Sequence, residues 1–260
     1  MIIYYIILIV IIFTCLYSKS SYKESFDNQK LDMAVIVEPR EHKYLIPVVN
    51  NVIDNVPKDT KIQIFHGTKN LDYIKTHFKS HIQSNKIILT NLNVENLTLS
   101  QYSNLLTSKS FWNSIPGENI LIFQTDSCIC NKSPHKINQF LKFNYIGGVS
   151  WKKLSENNNT DYNHLNGGFS FRKKSFMLDC IHSSPSANMG EDSFFSKCLL
   201  TKKQKVPTNK DSLYFSNDNG WSNYETPFGI HKIWSLHDIN DKQYLKIKQN
   251  CPEISSIFGK

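Results

Sequence analysis

The chain has 260 residues, of which 40% are apolar, with 16 Phe and 12 Tyr, and this suits one sizeable α/β domain or one domain plus a short appendage. Its formal charge of +8 comes from scattered lysines. That excess suggests a general attraction to polyanions, but with no basic helix, zinc-finger spacing or aromatic-basic ribonucleoprotein motif to argue recognition, nucleic acid is not the expected partner.

Residues 1–17 (MIIYYIILIVIIFTCLY) carry no charge and reach the roughly 17 residues that a membrane span requires. A cleaved signal peptide competes with an anchor. The stretch lacks a basic lead and a small-x-small cleavage site before Lys19, which favours an uncleaved hydrophobic membrane anchor. Lys19, Lys23 and Lys30 follow it, so the positive-inside rule leans towards a cytoplasmic body. The sequons at Asn96, Asn131 and Asn158 matter only in a lumen, and in so asparagine-rich a chain they are expected by chance. Residues 18–32 are polar and aperiodic, as a tether is, and the folded domain is expected over 33–260.

Met33 to Val37 is a buried-strand run closed by the charged turn Glu38-Pro39-Arg40. Leu45, Val48, Val49, Val52, Ile53 and Val56 lie at helical spacing before Pro57, and a strand from Lys61 to Phe65 ends in His66-Gly67. That is a crossover unit, which brings Glu38, Arg40 and His66 to one sheet edge. For His66 taken alone, a structural role is the simpler reading. A helix at 70–78 and a strand at 86–89 repeat the pattern, and 99–112 reads as one helix with Tyr102, Leu105, Leu106, Phe111 and Trp112 in the core. The run Ile120-Leu121-Ile122-Phe123 is a central strand, and Gln124-Thr125-Asp126-Ser127 falls at its carboxyl end, where open α/β sheets bind ligands. Asp126 either turns the chain there or holds a metal or a ligand hydroxyl.

Phe140 to Val149 reads as a strand, and 152–165 as a mobile loop over the site. Asn166-Gly167-Gly168 precedes an alternating Phe/Ser strand and lets backbone approach a sugar or another strand. Glu191-Asp192 sits at the first turn of a helix running to Leu200, a placement that suits the helix dipole and also a general base. Gly229-Ile230-His231-Lys232 puts an imidazole and an ammonium in one turn, groups that complete a metal site and meet a phosphate. The six cysteines, Cys15, Cys128, Cys130, Cys180, Cys198 and Cys251, show no regular framework and read as free, mostly buried thiols.

Taken together, Phe123 to Ser127, Asn166 to Gly168, Glu191-Asp192 and Gly229 to Lys232 resemble the GT-A class of nucleotide-sugar glycosyltransferases. With Val-Ile-Val-Glu-Pro-Arg, Phe111-Trp112, Tyr-Ile-Gly and Asn-Gly-Gly-Phe-Ser-Phe-Arg, the chain also looks like an uncharacterised glycosyltransferase-like family of giant DNA viruses, fungi and bacteria, over about residues 33–234.

The resemblance implies a Rossmann-related mixed sheet flanked by helices, preceded here by the anchor. It also implies transfer of a sugar from a nucleotide-diphosphate donor, such as a UDP-sugar, to a hydroxyl on a glycan, protein or lipid. Asp126 would stand where the last acid of the family's D-x-D motif holds Mn²⁺ or Mg²⁺, and His231 where a late histidine supplies a second ligand. Lys232 would face the phosphates. Asp192 would be the acceptor-side base, with Glu191 positioning it, and Glu38, Arg40, His66, Gln124, Thr125 and Asn166 to Gly168 would border the donor. Gln124 stands where D-x-D has its first acid, or Cys128 its last in the other frame, so a single carboxylate and a histidine would hold the ion. A catalytically silent glycan- or nucleotide-binding module on the same fold is the alternative.

Overall fold

Four aliphatic runs build the centre of the protein, because successive side chains on each strand enter opposite cores. The computed structural model describes residues 30–150, 165–184, 189–218, 226–232 and 241–259. Strands β1 (Met33–Glu38), β2 (Lys61–His66), β3 (Ile87–Asn91) and β4 (Asn119–Phe123) are parallel, with β1 lying between β2 and β4. Ala34, Ile36, Ile62, Ile64, Leu121 and Phe123 face one core, filled by Leu45, Val48, Val49 and Val52 of the Leu45–Asn55 helix. Met33, Val35, Ile120 and Ile122 face the other, with Phe111, Trp112, Phe176, Phe194 and Phe195. Every residue of β4 is buried, and each aliphatic side chain there contributes about 1.5–3 kcal/mol relative to exposure.

Beyond β4 come β5 (Ser127–Ile129), β6 (Tyr145–Gly147), β7 (Val149–Ser150), β8 (Phe169–Lys173), β9 (Ser216–Asp218) and β10 (Gly229–His231). Strand β8 runs antiparallel to both β4 and β6 and completes a six-stranded sheet of order β3-β2-β1-β4-β8-β6. A second sheet has the order β5-β10-β9-β7. The mixed sheet flanked by helices is the architecture the sequence leads one to expect.

Several expectations change. The anchor and most of the tether lie outside the described residues, and among the described residues no helix is long and apolar enough to cross a membrane. The anchored architecture, the membrane partner and the lean to a cytoplasmic body are therefore not supported and are set aside. Packed structure is already present at Leu31, which is fully buried, and at Asp32, whose Oδ2 accepts the Glu118 and Asn119 N–H groups at 2.8 Å. The expected 99–112 helix is two helices, Leu99–Leu106 and Lys109–Asn113, divided where the Ser108 hydroxyl accepts the Phe111 N–H at 3.3 Å. Of the strand expected at 140–149, residues 140–144 form none. Phe140 instead packs on Phe215 and Phe228, with ring centroids 5.1 and 6.3 Å away.

The thiol reading is also overturned. Cys130 is joined to Cys251 and Cys180 to Cys198, while Cys128 is the free cysteine among the described residues. Spacing cannot reveal such pairs, because strand pairing and helix docking bring the partners together across 121 and 18 residues. Bonds of this kind persist in oxidising surroundings.

Candidate functional site

The strand order reverses direction at β1 and β4, and the crevice outside their carboxyl ends is where an open α/β sheet binds ligands. A cavity of about 250 Å³ lies there, bounded by Glu38, Pro39 and Arg40 after β1, by Asn96 and Thr98, and by Gln124, Thr125 and Asp126 after β4. Arg40 folds back on the buried Glu38, with its Nε 2.8 Å from Oε1 and its Nη2 2.8 Å from Oε2. Glu38 is thus occupied in shaping the rim, and Arg40 presents a half-exposed guanidinium to the opening. His66 is opposite Glu38 in register, but its Nδ1 is bonded to the Gly67 carbonyl at 2.7 Å and it does not line the cavity.

The second sheet supplies the next group. Pairing of β10 with both β5 and β9 sets His231 between Ser127 and Asp218. His231 Nδ1 lies 2.8 Å from Asp218 Oδ1, while its Nε2 is 3.3 Å from Asp126 Oδ1 and 3.3 Å from Gln124 Oε1. Burial disfavours charge on this ring, but its bonds to Asp126 and Asp218 outweigh that and raise its pKa. Burial likewise opposes the charge of Asp126, yet His231 and Lys232 hold its carboxyl below the ordinary range. Lys232 has a left-handed backbone, φ 53°, unusual for a residue with a β-carbon. Its N–H donates to the Asp126 carbonyl at 3.0 Å, and its ammonium stands 4.0 Å from Asp126 Oδ2.

Asp126 Oδ1 is buried and receives no hydrogen bond of good geometry. If the Nδ1 proton is given to Asp218, then Nε2, Oδ1 and the Gln124 oxygen are three acceptors around one point, an arrangement that a cation or a second imidazole proton resolves. A histidine whose other nitrogen is held by a carboxylate is how metal-ligating imidazoles are oriented. The donor set therefore fits a divalent ion. The group of three His, Cys, Asp or Glu side chains close enough to share an ion among the described residues is elsewhere, at Cys130, Cys251 and Glu253, and two of these are joined in a disulfide.

A second cavity, of about 260 Å³, adjoins the first. Asn166, Gly167, Gly168, Asp192, His231 and Lys232 line it, and the two cavities share Leu99, Tyr102 and Gln124. Gly168 is required here, since a β-carbon would collide with His231 Nε2 and lie 2.8 Å from Gln124 Oε1. Beneath the loop lies Arg172, fully buried, with its Nη1 2.7 Å from Glu191 Oε2, its Nε 2.9 Å from Ser170 Oγ and its Nη2 3.2 Å from the Gly167 carbonyl. The guanidinium also stacks over the rings of Tyr145 and Phe195 at 5.0 and 5.4 Å. Glu191 is therefore a structural ion-pair partner that ties the start of the Glu191–Thr201 helix to the glycine loop, rather than an available base. Asp192 is partly buried and lines the cavity, and its Oδ1 accepts the Ser193 N–H at 2.7 Å.

The structure thus gathers Glu38, Arg40, Gln124, Thr125, Asp126, Asn166, Gly167, Gly168, Glu191, Asp192, His231 and Lys232 around two joined cavities, and leaves His66 outside them. Of the loop expected at 152–165, residues 152–164 lie outside the described residues, and Leu165 is buried. Three residues of the site escape sequence reasoning. Tyr102 has the spacing of a core aromatic, Asp218 carries no local signal because β9 pairing alone brings it to His231, and Arg172 follows the alternating Phe/Ser strand with nothing in the sequence to mark its pairing with Glu191.

The model of the family described as "Protein of unknown function (DUF5672)" matches residues 85–231, more than half of the chain. A search of curated proteins finds no match. Among solved structures, the chain is similar to the apo-form glycosyltransferase GlyE of Streptococcus pneumoniae TIGR4, at 8% identity and TM-score 0.53, over 88% of this chain and 62% of that one. It is also similar to the mannosyltransferase PcManGT of Pyrobaculum calidifontis, solved with GDP-Man and Mn²⁺, at 12% identity and TM-score 0.52, over 71% of this chain and 56% of that one. The chain thus spans about 60% of the length of these proteins. At such identities the likeness is one of fold, that of GT-A-like glycosyltransferases.

Proposed function

The chain belongs to this family of unknown function, and from that premise and the geometry of the crevice we propose that it transfers a sugar from a nucleotide-diphosphate donor to an acceptor hydroxyl. The observation that carries the reading is the juncture of the two cavities, where Asp126 and His231 meet over Gln124, with cationic Lys232 beside them and Asp192 across the second cavity. The nucleotide would occupy the first cavity, against Arg40 and Thr125, and the sugar would lie against Asn166, Gly167 and Gly168. Asp126 and His231, with the Gln124 oxygen, would hold Mn²⁺ or Mg²⁺, which neutralises a diphosphate leaving group. Lys232 adds a second positive charge on that side. Asp192 would take the proton of the acceptor hydroxyl, which requires a carboxylate facing the open cavity.

One observation favours a catalytically silent binding module instead. Asp192 Oδ1 is engaged by the Ser193 N–H at the helix start, as a purely capping carboxylate is. Thermal unfolding with UDP and GDP, each with and without Mn²⁺, tests the donor site in the wild type and in Asp126→Ala. Stabilisation grows as the logarithm of ligand over dissociation constant, so at a hundredfold excess one nucleotide should add about 2.7 kcal/mol with Mn²⁺ and lose it in the variant. If no nucleotide shifts the wild-type transition in either condition, the assignment falls. Should nucleotide bind while Asp192→Asn leaves donor consumption unchanged, Asp192 is not the base.

A further inference from the structure

The Tyr102 hydroxyl is a buried polar atom with no hydrogen bond of good geometry, close to the Gln124 side chain, and it lies on the wall common to both cavities. A phenol packed only as core normally finds an acceptor, because a buried hydroxyl left unpaired is costly. Here the ring comes from the Leu99–Leu106 helix, and the hydroxyl is carried to the passage between the cavities. The other two side chains of that shared wall offer no substitute. Leu99 is apolar and 90% exposed at the rim, and the Gln124 oxygen is turned to His231.

The surroundings say what kind of group would meet it. A tyrosine hydroxyl is a neutral group with one hydrogen to donate. A neutral phenol suits the hydroxyl of a sugar, and the cationic groups suited to phosphate, Arg40 and Lys232, stand to either side.

We infer that Tyr102 is the contact that selects the donor's sugar, its Oη–H donating to a hydroxyl of the hexose where the donor passes over Gln124 from the first cavity into the second. This deepens the transferase reading and rests on it. It also gives the two cavities a division of labour, with the nucleotide held without Tyr102 and the sugar held through it. A site built to hydrogen-bond a substrate hydroxyl discriminates against ligands that lack it, because the buried partner is then left unpaired.

The test compares the full chain with its Tyr102→Phe variant, which keeps the ring and its packing, by calorimetric titration with Mn²⁺ present. The probes are UDP, GDP, UDP-glucose, UDP-galactose and GDP-mannose. The expected result is that the nucleoside diphosphate that binds has the same Kd in both proteins within about twofold. The matching nucleotide sugar should bind the variant about three- to tenfold more weakly, the worth of one neutral hydrogen bond. Deoxy analogues of that sugar should include one that binds wild type and variant alike. If the variant weakens diphosphate and nucleotide sugar equally, or weakens neither, the inference is overturned while the donor site stands. If the wild type binds none of the five probes, the transferase reading itself fails and takes the inference with it. Unfolding of both proteins by urea accompanies the titration, since a folding defect would lower both affinities together and count against the inference.

Discussion

At the scale of single residues, the candidate site turns on one imidazole held from both sides. Asp218 orients His231 through Nδ1, which leaves Nε2 for whatever sits against Asp126. Carboxylates that orient a metal-ligating histidine are typically worth 10–100-fold in affinity. On the proposed reading, Asp218→Asn is accordingly expected to weaken Mn²⁺ binding by about that factor without unfolding the protein, as followed by electron paramagnetic resonance of free Mn²⁺ during titration; unchanged affinity would remove Asp218 from the site. Gly168 offers a second test, since the atoms its β-carbon would strike are the ring of His231 and the amide of Gln124. Gly168→Ala should cost about 1–3 kcal/mol in urea unfolding, the usual range for overpacking, and should abolish the metal-dependent nucleotide shift. A variant with normal stability and a normal shift would mean that the loop is looser than its contacts indicate.

At the scale of elements, the Arg172–Glu191 pair fastens the glycine loop on β8 to the helix that carries Asp192. Both partners are buried, at 0% and 6% exposure, so removing one strands a charge in the core. Arg172→Met should lower stability by about 3–5 kcal/mol, and Arg172→Met with Glu191→Leu should recover much of it, because a buried pair is worth little more than a well-packed apolar one. Urea denaturation of the two variants reads this directly, and an equal loss in both would show that packing, not charge, holds the loop. The disulfides belong to this scale as well. Peptide mapping without reduction should recover Cys130 linked to Cys251 and Cys180 linked to Cys198, with Cys128 alkylated only after unfolding, since it is 1% exposed. Any other pairing would contradict the packing of the Asp241–Asn250 and Glu253–Phe258 helices that delivers Cys251. The Asn209–Phe215 helix gives a pH handle through its capping box of Thr208 and Asp211. Burial works against the Asp211 charge, but its bonds to Thr208 and the nearby Lys142 outweigh that and lower its pKa. Its stabilising effect is therefore complete above about pH 4, the unfolded value, and fades as the pH falls through the lowered folded value. Asp211→Asn should flatten that part of the acid-unfolding curve, and a wild-type slope in the variant would contradict it.

For the described unit from Leu31 onwards, the two sheets have different tasks. The six-stranded sheet makes the crevice, and the four-stranded one carries His231 to it. On the proposed reading, a nucleoside diphosphate with Mn²⁺ should slow amide hydrogen exchange at 37–40, 96–103 and 124–126. The intact nucleotide sugar should extend that protection to 166–168 and 190–192, measured by mass spectrometry. Protection spread evenly over both sets by the diphosphate alone would merge the two cavities into one subsite.

What the sequence determined by itself is local or periodic. Strands β1 and β4 are legible because buried aliphatic runs have few other solutions, β2 and β3 because short apolar-rich segments follow each helix at crossover spacing, and the Leu45–Asn55 helix because its apolar positions repeat every three to four residues before a proline. The acids, glycines and histidine of the site are legible as polar residues placed where such strands end. Only the tertiary structure decided which of them work together. Asp218 meets His231 through a strand pair, Arg172 claims Glu191 across 19 residues, Cys130 finds Cys251 across 121, and Tyr102 turns from core packing to the wall of the crevice. Each depends on strand order and register. A short strand such as β9 or β10 carries too few residues to encode its neighbour, so its partner is chosen by the packing of the whole fold.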